Sequence, residues 1–563
     1  MLAAKLVLLR EINLNWDEFY FLTHVHSLAR GELPFGLQTA YAQLFRWLPG
    51  IGGDEIAQLT LARGVMWPLL AVGAAQLYRL ARRWFEPSAA ALAVLSFLAS
   101  WTTLRHGAAF RADSMLLPLQ LAALLALTHP THAPRRRALQ AGAWLGLATA
   151  LTLKAALLAP VVLALLALRA SGAEPGVARA ARGPVGSPIR HLVAQCAWLA
   201  LAASLVAGLA LALHFAALDA TAGGATPAAT GPATAAGSAW QRTVANAEFA
   251  PTAEAWRRLA AVDLAWWLAS LGGAAWCVVT RRWSALACAL ALTPLLYYRN
   301  AFAYYYVPMC APASVLLAAA WEALAAGLRR LAPTRTVELT LGGLAVAVAA
   351  SALLRANAQH EPRQQAQRAV VAAVHEIFPD PVPYLDHSGM IASFRKANFF
   401  MSSWGIAEYR AAGRPFVAGA FARHAPPLLL ANRGAIVPHS TAAADELLAQ
   451  DRESIERSYV PYWGPVYVAG TTGVLPAGET RTLSLPFAGR YRLEAPAAIE
   501  LSGRRVEPGE VVHVDAGQLR LPARQLAPEA AGLGVRLVWA AARPAPDSPP
   551  PRGRIYDALT PID

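Results

Sequence analysis

The chain is poor in charge. Only 15% of its 563 residues are Asp, Glu, Lys or Arg, against about 25% in an ordinary soluble domain. That shortage, with a mean hydropathy of +0.36, excludes a disordered chain and an ordinary cytosolic enzyme. Cysteine is scarce too. Cys196, Cys277, Cys288 and Cys310 sit inside apolar runs without Cys-x-x-Cys spacing, which leaves small buried hydrophobes rather than a disulfide scaffold or a thiolate metal site. No His, Asp and Glu spacing matches a metal motif. No cofactor is assigned, therefore, and a divalent metal stays an open requirement. No small-residue cleavage site follows the opening MLAAKLVLL, so no cleavable signal peptide is expected. Basic and aromatic residues do not interleave in a patch, so the net charge of +14 does not point to nucleic acid. In an apolar chain it is a topology signal.

What is abundant is apolar length. Runs near 1–12, 60–78, 87–104, 114–128, 139–153, 155–168, 192–216, 263–280, 284–298, 301–328 and 337–354 predict eleven membrane spans. Several are shorter than the roughly 20 residues of a straight crossing. The first is the weakest, because Lys5 interrupts its apolar stretch Met1 to Leu9; a clipped first helix or an upstream start is expected. Alternate loops differ in basic content. One set holds 15 Lys and Arg in 52 positions, the other 9 in 104. The first set is placed in the cytoplasm, and an odd number of spans puts everything after residue 355 outside.

That outer region predicts three parts. Residues 356–462 alternate helix-like stretches (Gln364 to Ile377) with strand-like runs (Val382 to Leu385, Pro427 to Leu430), an α/β unit. Residues 463–545 hold short strands between Gly and Pro turns, which predicts a β-sandwich. Residues 546–563 are Pro-rich at first and expected to be a flexible tail. The low-complexity loop 219–239 carries no visible chemistry.

The spans hold few ionisable groups at mid-depth. Glu322 and Glu338 lie near span ends, and His214 near an outer end. A transporter needs carboxylates or His at mid-depth to ligate its coupling ion, so a transporter or lipid flippase is disfavoured. Charges gather instead in the outer loops. The first opens with Asn15-Trp16-Asp17-Glu18-Phe19-Tyr20, and the second runs from His106 to Arg111-Ala-Asp113. Lys154 stands alone between two apolar runs, and Arg299 sits between Tyr297-Tyr298 and Tyr304-Tyr305-Tyr306. Cations there can hold a lipid-linked phosphate, and a carboxylate can deprotonate an acceptor. Plainer roles compete. Asp17-Glu18 suits a helix start, and Arg111 and Asp113 suit a local salt bridge. Lys154 suits a snorkelling anchor, and Arg299 with its tyrosines an aromatic belt.

The order of these elements resembles the GT-C superfamily of membrane glycosyltransferases over roughly residues 10–355, in particular its bacterial protein mannosyltransferase-like and aminoarabinose-transferase-like members. The resemblance rests on the early Asp-Glu loop ending Ala29-Arg-Gly-Glu-Leu-Pro34 and on the later Arg-x-Asp. It also rests on Gly146 to Pro160 around Lys154, and on Tyr-Tyr-Arg299 ahead of Tyr304-Tyr-Tyr-Val-Pro308. It implies a polytopic α-helical membrane protein with a transmembrane catalytic domain over 1–355. It implies a polyprenyl-phosphate sugar donor and an inverting transfer outside the cytoplasm to a glycan, lipid or protein acceptor, in a bacterial inner membrane. Asp17 inherits the role of general base, with Glu18 beside it and Asp113 as a further acid. Arg111, Lys154 and Arg299 match positions that meet donor phosphate, and His106, Tyr304 and Tyr305 are candidates for the substrate pocket. Asp17 and Glu18 are adjacent, so on a helix their side chains diverge by about 100°, and Asp17 is the expected base. A non-catalytic scaffold that displays the outer region is the remaining alternative.

Overall fold

The computed structural model describes residues 1–33, 36–172, 188–221, 257, 260–298, 302–358, 363–475, 481–501, 503–521, 533–552 and 555–556. Five helices among them are long and apolar enough to cross a membrane: Glu55–Ala81, Leu153–Ala170, Pro188–Asp219, Tyr306–Arg329 and Thr334–Asn357. Four shorter apolar helices accompany them: Pro87–Ala99, Ala112–Leu127, Leu264–Val279 and Trp283–Tyr297. Each of these nine overlaps one of the apolar runs named above. The chain is a multi-pass membrane protein. Leu205, Leu209 and Leu213 on one peripheral helix, and Leu339, Val346 and Leu354 on another, stand exposed. Such surface suits lipid, where helices satisfy their backbone internally. Gly142 and Gly146 let two helices touch. A Cβ there would meet Leu199 O at 2.2 Å and Ala203 O at 2.6 Å, the close approach that small residues allow between membrane helices.

Lys5 does not end the first helix. Leu2–Leu8 is helical, and the buried Lys5 ammonium donates to the carbonyls of Leu104 and Arg105. It thereby caps the last turn of the short helix Trp101–His106. Asp263 caps the other end, accepting the Trp101 and Thr102 N–H groups at 2.8 and 3.1 Å.

The C-terminal region holds helix Arg363–Ile377 and, among the described residues, eleven strands: β1 Tyr384–Asp386, β2 Leu428–Leu430, β3 Tyr459–Trp463, β4 Val466–Leu475, β5 Arg481–Leu485, β6 Gly489–Glu494, β7 Ile499–Leu501, β8 Arg504–Val506, β9 Val511–Val514, β10 Gly517–Leu521 and β11 Leu533–Trp539. The main sheet runs β1-β2-β4-β11-β6-β9, with β3 also on β4. β1 and β2 are parallel. The division expected at 462/463 falls inside β3, so the α/β unit and the β-rich region are not separate sheets. β4 is long enough to serve both. Its first residues pair with β2 and β3, and its last with β11. The sandwich character is confined to one end, where the β5–β10 ladder packs Leu483, Leu485 and Leu519 against Tyr491, Leu493, Val535 and Leu537.

The tail expected to be flexible returns to the core in its described part. Ser548 O accepts from Trp463 Nε1 at 2.9 Å, and the Tyr556 hydroxyl lies 2.9 Å from Ser388 Oγ. Ile555 and Tyr556 are buried, and their apolar surface supplies the reason. Residues 557–563 lie outside the described residues, as does the low-complexity loop from residue 222 onward. One hydrophobic cluster joins Phe19, Leu22 and Val25 of helix Trp16–Ala29 to Ile56, Val370, Val374, Tyr384 and Ile391. The C-terminal region therefore packs directly on the segment that carries Asp17.

Candidate active site

Helix Trp16–Ala29 starts with a capping box. Asn15 Oδ1 accepts the Asp17 N–H at 2.9 Å, and Glu18 Oε1 accepts the Asn15 N–H at 3.0 Å. Both acids thus sit in the first turn, where the exposed N–H groups favour negative charge. Their side chains then part. Asp17 is buried in an ion pair with Arg111. Glu18 is fully buried elsewhere, bridged by Arg63 Nε at 2.8 Å and Nη2 at 2.6 Å, with the Phe110 N–H at 2.8 Å. Burial pushes the Glu18 carboxyl up, and the Arg63 charge and hydrogen bonds pull it further down, to a net position below its ordinary value.

Glu18, expected beside Asp17 among the catalytic acids, does not join it. Its oxygens are spent on Arg63, Asn15 and Phe110, so it ties helices together. Arg63 also donates to Ile12 O at 2.7 Å and Asn13 O at 2.9 Å, which fixes the strand of chain leading into Asp17. Sequence reasoning missed Arg63. The signal was present: a lone Arg within an apolar run needs a carboxylate partner.

Arg111 precedes helix Ala112–Leu127 in extended backbone, so its side chain turns back toward helix Trp16–Ala29. It contacts Asp17, and its Nε and Nη2 lie 3.3 and 3.2 Å from Asp113 Oδ2. Its guanidinium lies 3.5 Å from the Tyr304 ring centre. Lys154 arrives from another element. Helix Pro134–Leu151 stops at Thr152, which is extended, and a 3-10 turn Leu153–Leu158 follows. That break projects the Lys154 ammonium to 3.0 and 3.2 Å from the two Asp113 oxygens and to 3.5 Å from the Tyr305 ring centre.

Four residues from three separate stretches of sequence thus alternate in charge along one line, Asp17, Arg111, Asp113 and Lys154. Tyr304 and Tyr305 cover the cations. His106 lies at the edge, its ring 6.1 Å from Tyr304. Burial, with Arg105, Lys5 and Arg111 nearby, holds its imidazole well below the ordinary value. Arg299 lies outside the described residues. Among the described residues, no group of three or more His, Cys, Asp and Glu side chains is arranged to hold a metal.

Lys154 keeps 20% of its side chain exposed, against 3% for Arg111 and Asp113. It therefore offers the line's most accessible cation. Lys154, Asp113 and Tyr305 line a narrow cleft whose other walls include Leu116, Leu157 and Met309, with room for only ≈ 20 Å³, about one water.

The architecture has relatives among solved structures. The apo oligosaccharyltransferase of Archaeoglobus fulgidus matches at a TM-score of 0.51 and 13% identity, covering 90% of this chain and 73% of that one. Apo ArnT from Cupriavidus metallidurans matches at 0.50 and 16%, covering 76% and 90%. The fold is GT-C. The same ArnT bound to undecaprenyl phosphate gives 0.48 and 16%, covering 70% and 83%. Within the GT-C fold, residues 51–178 also match the family model of the dolichyl-phosphate-mannose-protein mannosyltransferases. No curated protein matches the chain by sequence. The segment matched by the family model contains Arg111, Asp113 and Lys154, three of the four residues in the line.

Proposed function

We propose that the chain is a membrane glycosyltransferase that takes a sugar from a polyprenyl-phosphate donor and passes it, with inversion, to an extracytoplasmic acceptor. The observation that carries this reading is the line of alternating charges from Asp17 to Lys154. It joins an acid that can accept a proton to cations that can hold a phosphate. The donor class follows the matched family model, whose description names dolichyl-phosphate-mannose, a polyprenyl-phosphate sugar. The outer loops and the region after residue 355 are assigned to the extracytoplasmic face of a bacterial inner membrane, on the distribution of basic residues.

In the reaction, an acceptor oxygen or nitrogen attacks the anomeric carbon. The bond from that carbon to the phosphate oxygen breaks, and its electron pair leaves with the polyprenyl phosphate. The acceptor's proton passes to Asp17. Charge grows on the leaving phosphate in the transition state, where Arg111 and Lys154 stabilise it, with Arg299 as a third cation. Asp113 becomes a positioning residue in this scheme, because both its oxygens face the two cations. Tyr304 and Tyr305 hold those cations by their ring faces. The transporter alternative gains no support from the spans. Glu322 is engaged by Arg282 at 2.7 Å and Trp276 at 3.1 Å.

Transfer by the purified protein from a polyprenyl-phosphate sugar tests the reading. Asp17→Asn keeps the shape and loses the base, so turnover should fall about 10²–10⁴-fold while undecaprenyl phosphate still binds. An Asp17→Asn rate equal to wild type removes Asp17 from the chemistry.

A further inference from the structure

Asp17, Tyr20, His24 and Ser27 recur at steps of three, four and three residues, so they share one face of helix Trp16–Ala29. Beyond Asp17, that face borders a cavity of ≈ 660 Å³, within the range of small-molecule sites. The facing wall comes from the outer region and is aromatic: Phe399, Phe400, Tyr409 and Phe416. Phe400 stacks on Tyr20 with ring centres 3.8 Å apart and on Trp16 at 5.2 Å. The cavity therefore begins one helical turn from Asp17. Phe399 lies 5.3 Å from both Tyr409 and Phe416, which makes a broad ring surface.

The lining carries four cations, Arg30, Arg395, Lys396 and Arg414, against two carboxylates, Glu32 and Glu408, and Lys396 is engaged by Asp386 at 2.6 Å. Glu32 is shared by Arg30 at 3.2 Å and Arg395 at 3.1 Å, so one carboxylate faces two guanidinium groups. Arg414 also lines the cavity, is exposed, and forms no salt bridge among the described residues. Flat aromatic faces suit the apolar face of a sugar ring, and planar guanidinium groups suit carboxylate or phosphate. We infer that this cavity binds the acceptor, and that the acceptor is an anionic saccharide. Its rings lie against Phe399 and Tyr409, and its carboxylate or phosphate meets Arg414 and Arg395. This rests on the glycosyltransferase reading and adds the class of substrate that Asp17 deprotonates.

Binding to the full chain in detergent tests it, with trigalacturonate, maltose 1-phosphate and the neutral maltotriose as probes. At least one anionic probe should bind about tenfold or more tightly than maltotriose, and the tighter of the two names the anion. Arg414→Glu should lose about tenfold or more of that affinity. Phe399→Leu should weaken whichever anionic probe binds while keeping the wall apolar. Binding of undecaprenyl phosphate, measured in parallel, reports an intact fold and tests the donor reading separately. Maltotriose binding as tightly as both anionic probes overturns the inference. So does glycosyl transfer by a chain that binds neither anionic probe. Saccharide binding without any transfer leaves the site standing and counts against the enzymatic reading alone.

Discussion

Lys154 Nζ lies 3.0 Å from one oxygen of Asp113 and 3.2 Å from the other. The ammonium also faces the Tyr305 ring, and the cleft beside it holds about one water. On the proposed reading, a donor phosphate widens this cleft and shares Lys154 with Asp113. Lys154→Gln should weaken undecaprenyl-phosphate binding about tenfold or more, the scale of one charge-assisted hydrogen bond. Asp113→Asn removes the competing carboxylate, so lipid-phosphate binding should tighten. Turnover should nonetheless fall, because Arg111 and Lys154 lose the group that aims them. Titration of each purified variant with the lipid, beside its transfer rate, checks both. Unchanged binding in Lys154→Gln would take Lys154 out of the phosphate site.

Glu18 and Arg63 predict a stability defect rather than a catalytic one. Removing one partner of a buried ion pair costs about 3–5 kcal/mol, so Glu18→Gln should unfold at markedly lower temperature. The pH sign follows from the folded carboxyl lying below its ordinary value near 4.5. Its stabilisation is complete above that ordinary value and is lost as pH falls through the folded value. Melting curves between pH 7 and pH 3 should show the gap between wild type and Glu18→Gln closing on acidification. A gap that widens in acid contradicts the assignment.

His375 joins the C-terminal region to helix Glu55–Ala81. Its Nε2 lies 2.9 Å from Glu55 Oε2, and Glu55 Oε1 accepts the Ser393 N–H at 3.0 Å. Burial lowers the imidazole, and the hydrogen bond and charge of Glu55 more than offset it, so His375 titrates above its ordinary 6.5. The stabilisation is therefore fully present below 6.5 and is lost as pH rises through the folded value. His375→Gln should melt below wild type at pH 6 and level with it at pH 9. A difference that is constant across that range would show that the contact does not depend on imidazole charge.

Sidedness predicts that reporter fusions at residues 133 and 400 fall on opposite faces of the membrane, the first cytoplasmic. The basis is the uneven distribution of Lys and Arg between alternate loops. Fusions reporting the same face would overturn the topology, and with it the assignment of Asp17 and Lys154 to one outer surface.

Local pattern determined the apolar helices, because lipid demands long runs without charge whatever they pack against. It also determined helix Arg363–Ile377 and most of the C-terminal strands, through the spacing of apolar residues and turns. The resemblance favours Asp17 over Glu18 as base, but residue identity alone does not separate them. Both suit the first turn of a helix, and the choice lies in which neighbour each meets: Arg111 for one, Arg63 for the other. Tertiary structure alone bent the chain at Thr152 so that Lys154 reaches Asp113. It ran one sheet through the expected boundary at 462/463 and drew Tyr556 back against Phe19. Those outcomes depend on partners tens to hundreds of residues away. Such pairings leave no period in the sequence, because their free energy comes from packing and desolvated charge rather than from the propensity of any single segment.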